Sequence, residues 1–181
     1  MLNEEQSYVV EIAEELGVRT KFISHKNPTI SCAEKLALLR QDEDYADWTL
    51  DRIVKALYFN RNGGPFVGII TPEFGRRVDQ KQILRKALGI SGSQAERYHV
   101  HPRRVPNGMT WGTCTPFPLS SSVGNEISDL VVINHEPIRD KLVDISVGGT
   151  DKEKYRLSMH LPYKAIHKIL AGKFGDRIHV F

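Results

Sequence analysis

Residues 52–71 read RIVKALYF, then NRNGG, then PFVGIIT. Two apolar runs around an Asn-Gly-Gly turn predict a hairpin, Ile53–Phe59 with Pro65–Thr71, joined by a loop longer than a minimal turn. The first run is apolar on both faces. Ile53, Lys55, Leu57 and Phe59 share one face, and Val54, Ala56 and Tyr58 take the other. A strand buried on both faces belongs inside a sheet, so this one is expected to be central. Lys55 is then costly to bury. Either it snorkels to solvent near a strand end, or its ammonium group faces a cavity and holds a carbonyl or a phosphate.

The flanking sequence alternates short helices and short strands. Residues 4–16 predict an amphipathic helix, with Val9, Ile12, Ala13 and Leu16 on one face, Asn3 and Gln6 as a capping pair, and Gly17 as its stop. A strand is expected at Arg19–Ser24. Ser31 with Glu34 forms a capping box for a helix to about Arg40. The acidic stretch QDEDYADWTLD has no period and reads as a surface loop. Asp79 with Gln82 caps a helix through Leu88, and Gly89 ends it. Residues 100–125 form a long loop rich in Pro, Gly, Ser and Thr, a kind that is usually functional or disordered. Strands are expected at Leu130–Asn134, Leu142–Val147 and Tyr155–Met159, the last pairing back across GGTDKEK. Pro162 opens a helix through Leu170, and Arg177–Phe181 is a terminal strand. The pattern is that of a mixed α/β or α+β chain.

Length and charge narrow the class. A chain of 181 residues, 40% hydrophobic and 26% charged, fits one soluble globular domain over 1–181. No apolar run reaches membrane-spanning length, and MLNEEQ is too acidic for a secretion signal. Two cysteines, Cys32 and Cys114, make no disulfide framework, so a cytoplasmic location is expected. The net charge of +3 conceals an asymmetry. Residues 1–51 carry eleven acidic and five basic side chains. Residues 76–104 carry eight basic ones, Arg76, Arg77, Arg103 and Arg104 among them, against two acidic. That segment is either a polyanion footprint or a solvated helix face.

Chemistry has few other candidates. TWGTCTPFP at 110–118 places Gly112 and Pro116 in a G-x-x-x-P loop, where glycine permits close backbone approach to a ligand and proline stiffens the exit. In KLVDISVGG, Leu142, Asp144 and Ser146 alternate with Val143, Ile145 and Val147. Asp144 and Ser146 either line a polar pocket or occupy an ordinary half-exposed strand. His99 and His101 form an HxH pair without further ligands at a zinc spacing, so no metal is expected. Nothing marks Cys114 as an activated nucleophile. There is no P-loop, no G-x-S-x-G and no dinucleotide fingerprint, so no cofactor is expected.

The ordered set RIVKALYF, GGPFVGIITPEFGRRVDQKQILRKALG, TWGTCTPF, VDISVGG and LPYKAI resembles the YbaK/prolyl-tRNA synthetase-associated domain family, whose members hydrolyse mischarged aminoacyl-tRNA. The resemblance runs from about Phe22 to the end of the chain. It implies a single α/β domain, a curved mixed sheet with helices packed outside. It implies a free-standing trans-editing deacylase, with mischarged tRNA and an aminoacyl-tRNA synthetase as partners and no metal or cofactor. The alternative is a non-catalytic tRNA- or synthetase-binding module of the same fold. Lys55 would correspond to the family's strand lysine, and Gly112 to the loop glycine whose backbone N–H stabilises charge on the ester oxygen. Thr113, Cys114, Thr115 and Pro116 would complete the substrate loop, with Asp144, Ser146 and Gly148 along the pocket. Arg76, Arg77, Arg103 and Arg104 would meet the tRNA. The loop departs from the family's GGxSPFG at Trp111, Thr115 and Pro118, and VDISVGG carries Val147 where alanine is common.

Overall fold

The computed structural model describes residues 4–24, 29, 31–75, 78–101, 103–109, 111–112, 114–147 and 157–181. Its strands are β1 (Lys21–Ser24), β2 (Ile53–Asn60), β3 (Phe66–Pro72), β4 (Ile127–Val132), β5 (Leu142–Ser146), β6 (Leu157–Pro162) and β7 (Ile178–Val180). Its longer helices are α1 (Glu4–Glu15), α2 (Cys32–Leu39), α3 (Gln80–Leu88) and, at the C-terminus, Tyr163–Phe174; the four-residue turns Gly92–Ala95 and Ser121–Gly124 are also helical.

The strands form one mixed sheet in the order β1-β6-β5-β2-β3-β4-β7. The predicted hairpin is present: β2 and β3 run antiparallel from Val54–Pro72 to Asn60–Phe66. Apolar character on both faces does put β2 in the middle, with β5 parallel to it on its other side. β6 pairs back antiparallel on β5, as expected. β4 begins at Ile127, three residues before its predicted start, because Phe66 and Val67 recruit the preceding residues across a register shift.

Strand alternation divides the core. Val54, Ala56, Tyr58, Val143, Ile145, Met159 and Leu161 face one side, where they meet Val9 and Ala13 of α1 and Ile166, Ile169 and Leu170 of the C-terminal helix. Phe59, Val67, Ile69 and Val131 face the other, under Ile83 and Leu84 of α3. The caps read from sequence are in place. Ser31 Oγ accepts from the Glu34 N–H at 3.2 Å, Asp79 Oδ1 from the Gln82 N–H at 3.0 Å, and Gly89 closes α3 with φ +63°. Asn3 lies outside the described residues.

The acidic stretch at 41–51 corrects the sequence reading. It lies at the surface, with most of its residues exposed, but it is folded and contributes to the core. Two 3₁₀ turns, Glu43–Tyr45 and Leu50–Arg52, fold it against α2, and Tyr45 and Trp48 are buried with Leu36, Leu39 and Ile53. Aromatic burial outweighs the acidic composition, since Asp42, Glu43, Asp44 and Asp47 beside the rings stay exposed.

Candidate active site

The β2–β5 ladder pairs Ile53 with Asp144 and Val54 with Ile145, and goes no further among the described residues. A cavity of about 210 Å³ lies beside it. Six consecutive residues of this β2 edge, Ile53 to Tyr58, line it. Backbone alternation gives that edge chemistry. In an antiparallel ladder, alternate residues turn both polar groups to the same side. Asn60 exchanges two backbone hydrogen bonds with His99, on the side away from β3. Val54, Ala56 and Tyr58 share that phase. Val54 meets β5 there, and Ala56, two residues on, lines the cavity.

Lys55 projects from the other face of β2 and lines the same cavity, with its side chain 33% exposed. It is ion-paired to Glu73, whose second oxygen accepts the Gly75 N–H at 3.0 Å. Sequence reasoning missed this partner. The hairpin register reveals it: Lys55 stands opposite Thr71, so Glu73, two residues on, lies diagonally across on the same face. A shallower depression of about 380 Å³ continues from the cavity past Lys55 to Glu73 and Gly75.

The loop after residue 110 forms the opposite wall. Gly112 lines the cavity with φ +85°, a left-handed conformation that requires glycine. Trp111 stands beside it at the rim, 41% exposed. The loop is anchored to β2 by Tyr58, whose hydroxyl donates to the Thr115 carbonyl at 2.8 Å. Tyr58 is itself seated over Gly68, where a Cβ would come within 2.8 Å of its ring. Thr115 and Pro116 are buried behind the wall and do not line the cavity, contrary to the expectation that they contact substrate. The Thr115 hydroxyl is instead turned inward and accepts the Phe117 N–H at 3.1 Å. Cys114 does line the cavity, but burial pushes its thiol up to about 12, so it is no thiolate nucleophile. Burial raises the Cys32 thiol as well.

Ser146 lines the cavity as expected. Asp144 does not: it is 0% exposed, because the aromatic residues of segment 41–51 cover its face of β5. Lys35 Nζ of α2 lies 2.9 Å from Asp144 Oδ2, and His160 Nε2 of β6 lies 3.1 Å from Oδ1. Tyr45 and Trp48 pack on the His160 ring at 5.1 and 4.9 Å between centroids. Burial opposes ionisation of Asp144, but the Lys35 charge and the His160 hydrogen bond outweigh it and hold the carboxyl below the usual carboxylate range. Lys35 was also missed from sequence. Cys32, Lys35, Leu36 and Leu39 fall on one helical stripe, so an ammonium group on the buried face of α2 was legible.

The depressed Asp144 pKa has a stability consequence. The native carboxyl titrates below its unfolded value near 3.8, so its pairing stabilises the fold above that pH. The stabilisation is lost as pH falls through the native value. Acid unfolding followed by tryptophan fluorescence is expected to begin below about pH 4, and Asp144→Asn to flatten that pH dependence while lowering stability at neutral pH. An unaltered acid limb in the variant would remove Asp144 as its source.

Arg103 and Arg104 are exposed, and Val105 next to them lines the cavity. Lys81, from the same basic segment, is engaged internally. Its Nζ donates to the carbonyls of Ala95 at 2.9 Å and Tyr98 at 2.5 Å. Arg76, Arg77, Thr113 and Gly148 lie outside the described residues. No described helix is long and apolar enough to cross a membrane.

Solved structures share this fold at low sequence identity. One described as "a putative trans-editing enzyme for prolyl tRNA synthetase" aligns with a TM-score of 0.62 at 15% identity, covering 100% of this chain and 97% of that one. A hypothetical protein, APE2540, aligns with a TM-score of 0.62 at 16% identity, covering 96% of this chain and 97% of that one. A scaffold protein used for computational grafting of linear epitopes gives 0.58 at 12% identity, with 99% and 96% covered. No protein-family model and no curated protein sequence matches the chain. At these identities the likeness establishes the fold, a single mixed seven-stranded sheet with helices outside, which a trans-editing-like structure also has.

Proposed function

We propose that this protein is a free-standing aminoacyl-tRNA deacylase that hydrolyses the ester of mischarged tRNA. The observation that carries the reading is convergence on one small cavity. The tethered Lys55 side chain, Ala56 of the β2 edge and the left-handed backbone at Gly112 all line it. These are fixed donors around a space smaller than the ~300–1,000 Å³ of drug-sized sites. A space of about 210 Å³ takes an aminoacyl group and leaves the nucleotide outside.

In this reading a water attacks the acyl carbon. Negative charge developing on the carbonyl oxygen is met by donors from Lys55 and the Gly112 backbone, each of the kind worth ~3 kcal/mol when preorganised. The bond from acyl carbon to ribose oxygen breaks, that oxygen takes up a proton, and the amino acid leaves as its carboxylate. Lys55 acts as a positioned cation. The buried thiol of Cys114 and the sealed carboxylate of Asp144 are unsuited to attack on the ester.

Deacylation of a panel of mischarged tRNAs by the purified protein, in the presence of chelator, tests the reading. Turnover of at least one ester is expected. Loss of turnover to chelator would assign the chemistry to a metal. Binding of tRNA without turnover of any ester would favour the non-catalytic tRNA- or synthetase-binding module.

The surface supplies a second prediction. Arg103 and Arg104 lie one and two residues from the cavity-lining Val105. If they meet tRNA phosphates, affinity should fall as salt rises. Charge reversal at both should weaken binding to many tRNAs alike. Filter binding across a salt series that gave a flat response would leave these arginines as plain surface.

A further inference from the structure

We infer that Lys35 reads the aminoacyl side chain and selects a neutral hydrogen-bond acceptor, such as a hydroxyl, over an apolar group of the same shape. The inference rests on the deacylase reading of the cavity and names its substrate class.

Lys35 reaches the cavity from α2, on a wall separate from Lys55 and the Gly112 loop. Its side chain is 11% exposed, so the ammonium group has left bulk water. An ammonium group carries three N–H donors and no acceptor. Its partner among the described residues is Asp144, whose Oδ2 lies 2.9 Å from Nζ. One carboxylate contact does not use all three donors, and Lys35 lines the cavity, so donors remain for a ligand there. His160 fixes the other carboxylate oxygen, and the Tyr45 and Trp48 rings hold His160. The chain of groups behind the cavity wall, besides stabilising the fold, keeps one cation in place. Asp144 and His160 are positioning residues in this scheme, and Lys35 is the group that touches the ligand.

The charge balance decides which acceptor. Lys35 faces Asp144, and Lys55 faces Glu73, so the two cations of the cavity are already neutralised. A carboxylate side chain would add an uncompensated charge close to Asp144 in a poorly solvated space, and a basic one would meet two ammonium groups. An apolar side chain would strip water from the Lys35 donors without replacing the hydrogen bonds. A hydroxyl satisfies a donor and adds no charge. Ser31, Cys32 and Ser146 on the same lining are small, which leaves room for it.

The experiment measures kcat/KM on tRNA charged with serine or alanine, and with threonine or valine, pairs that differ chiefly by the hydroxyl. The wild type is expected to favour the hydroxyl-bearing ester by at least about tenfold. Lys35→Met should bring both ratios to within about twofold of unity. A defect confined to folding would depress all four esters equally. Because Lys35→Met strands a buried carboxylate, the double variant Lys35→Met/Asp144→Asn is measured alongside, with thermal unfolding as the control. Wild-type ratios near unity, or ratios unchanged in a folded variant, overturn the role of Lys35. If the wild type hydrolyses no ester, the deacylase reading fails separately. The inference is then decided by calorimetric binding of the seryl and alanyl amides of 3′-amino-3′-deoxyadenosine. Preference for the seryl amide supports it, and equal or absent binding overturns it.

Discussion

Replacing Lys55 with alanine is expected to cut ester hydrolysis by at least about tenfold, which corresponds to only ~1.4 kcal/mol of transition-state stabilisation. Affinity for uncharged tRNA should hardly change, because those contacts are mostly to phosphates. Sequence alone suggests that removing Lys55 leaves the fold untouched, as the loss of an incompletely compensated charge. The structure changes that expectation. Lys55 is paired with Glu73, whose side chain is 17% exposed, so the alanine variant leaves a half-buried carboxylate without its cation. A modest loss of stability, up to about 1 kcal/mol for a pair this open to solvent, should accompany the loss of activity. Lys55→Ala/Glu73→Gln separates the two effects. It should recover stability, measured by urea denaturation, and leave hydrolysis low. Full turnover in either variant would remove Lys55 from the mechanism.

Replacing Gly112 with valine should have the larger effect, a loss of about a hundredfold, the usual scale for removing a preorganised donor from an oxyanion site. Gly112 adopts φ +85°, which a β-branched residue avoids at a cost of ~1–2 kcal/mol. The loop would leave that conformation and carry its N–H away from the cavity. Strain alone could mimic this result, and the same loop contains the control. Gly108 has φ +74°, open space around its missing Cβ and no place on the cavity lining. Gly108→Val should impose a comparable backbone penalty and keep most of the activity. Equal losses in the two variants would reduce Gly112 to an ordinary turn residue.

The two expectations differ in how far the sequence supports them. Gly112 was legible as a glycine in a proline-stiffened loop, and its positive φ agrees with that reading. Lys55 was legible as an anomaly in an apolar strand. Its partner was not, because Glu73 lies 18 residues away and becomes a neighbour only once the hairpin register is set. The loop residues Thr113 to Pro116 were treated alike from sequence. Packing separates Cys114, on the cavity, from Thr115 and Pro116, behind it, because Tyr58 pulls the Thr115 carbonyl toward the sheet.

What the sequence determined is local. Periodicity, capping boxes and the Asn-Gly-Gly loop specify the hairpin, the central strand and helices α2 and α3, since each depends on neighbours within a few residues. What only the tertiary structure decided is how these strands pair. Nothing in RIVKALYF or KLVDISVGG shows that their ladder holds two residue pairs among the described residues, or that a cavity lined by Ala56 and Ser146 lies beside it. The fate of Asp144 was also beyond the sequence. Alternation predicts its face of the strand, but whether that face meets solvent, ligand or protein depends on a segment a hundred residues earlier. Tyr45 and Trp48 cover that face, and Lys35 and His160 supply the charge and the hydrogen bond that allow a carboxylate to stay ionised there. Long-range burial is a property of the assembled sheet, and the chain's local pattern carries no record of it.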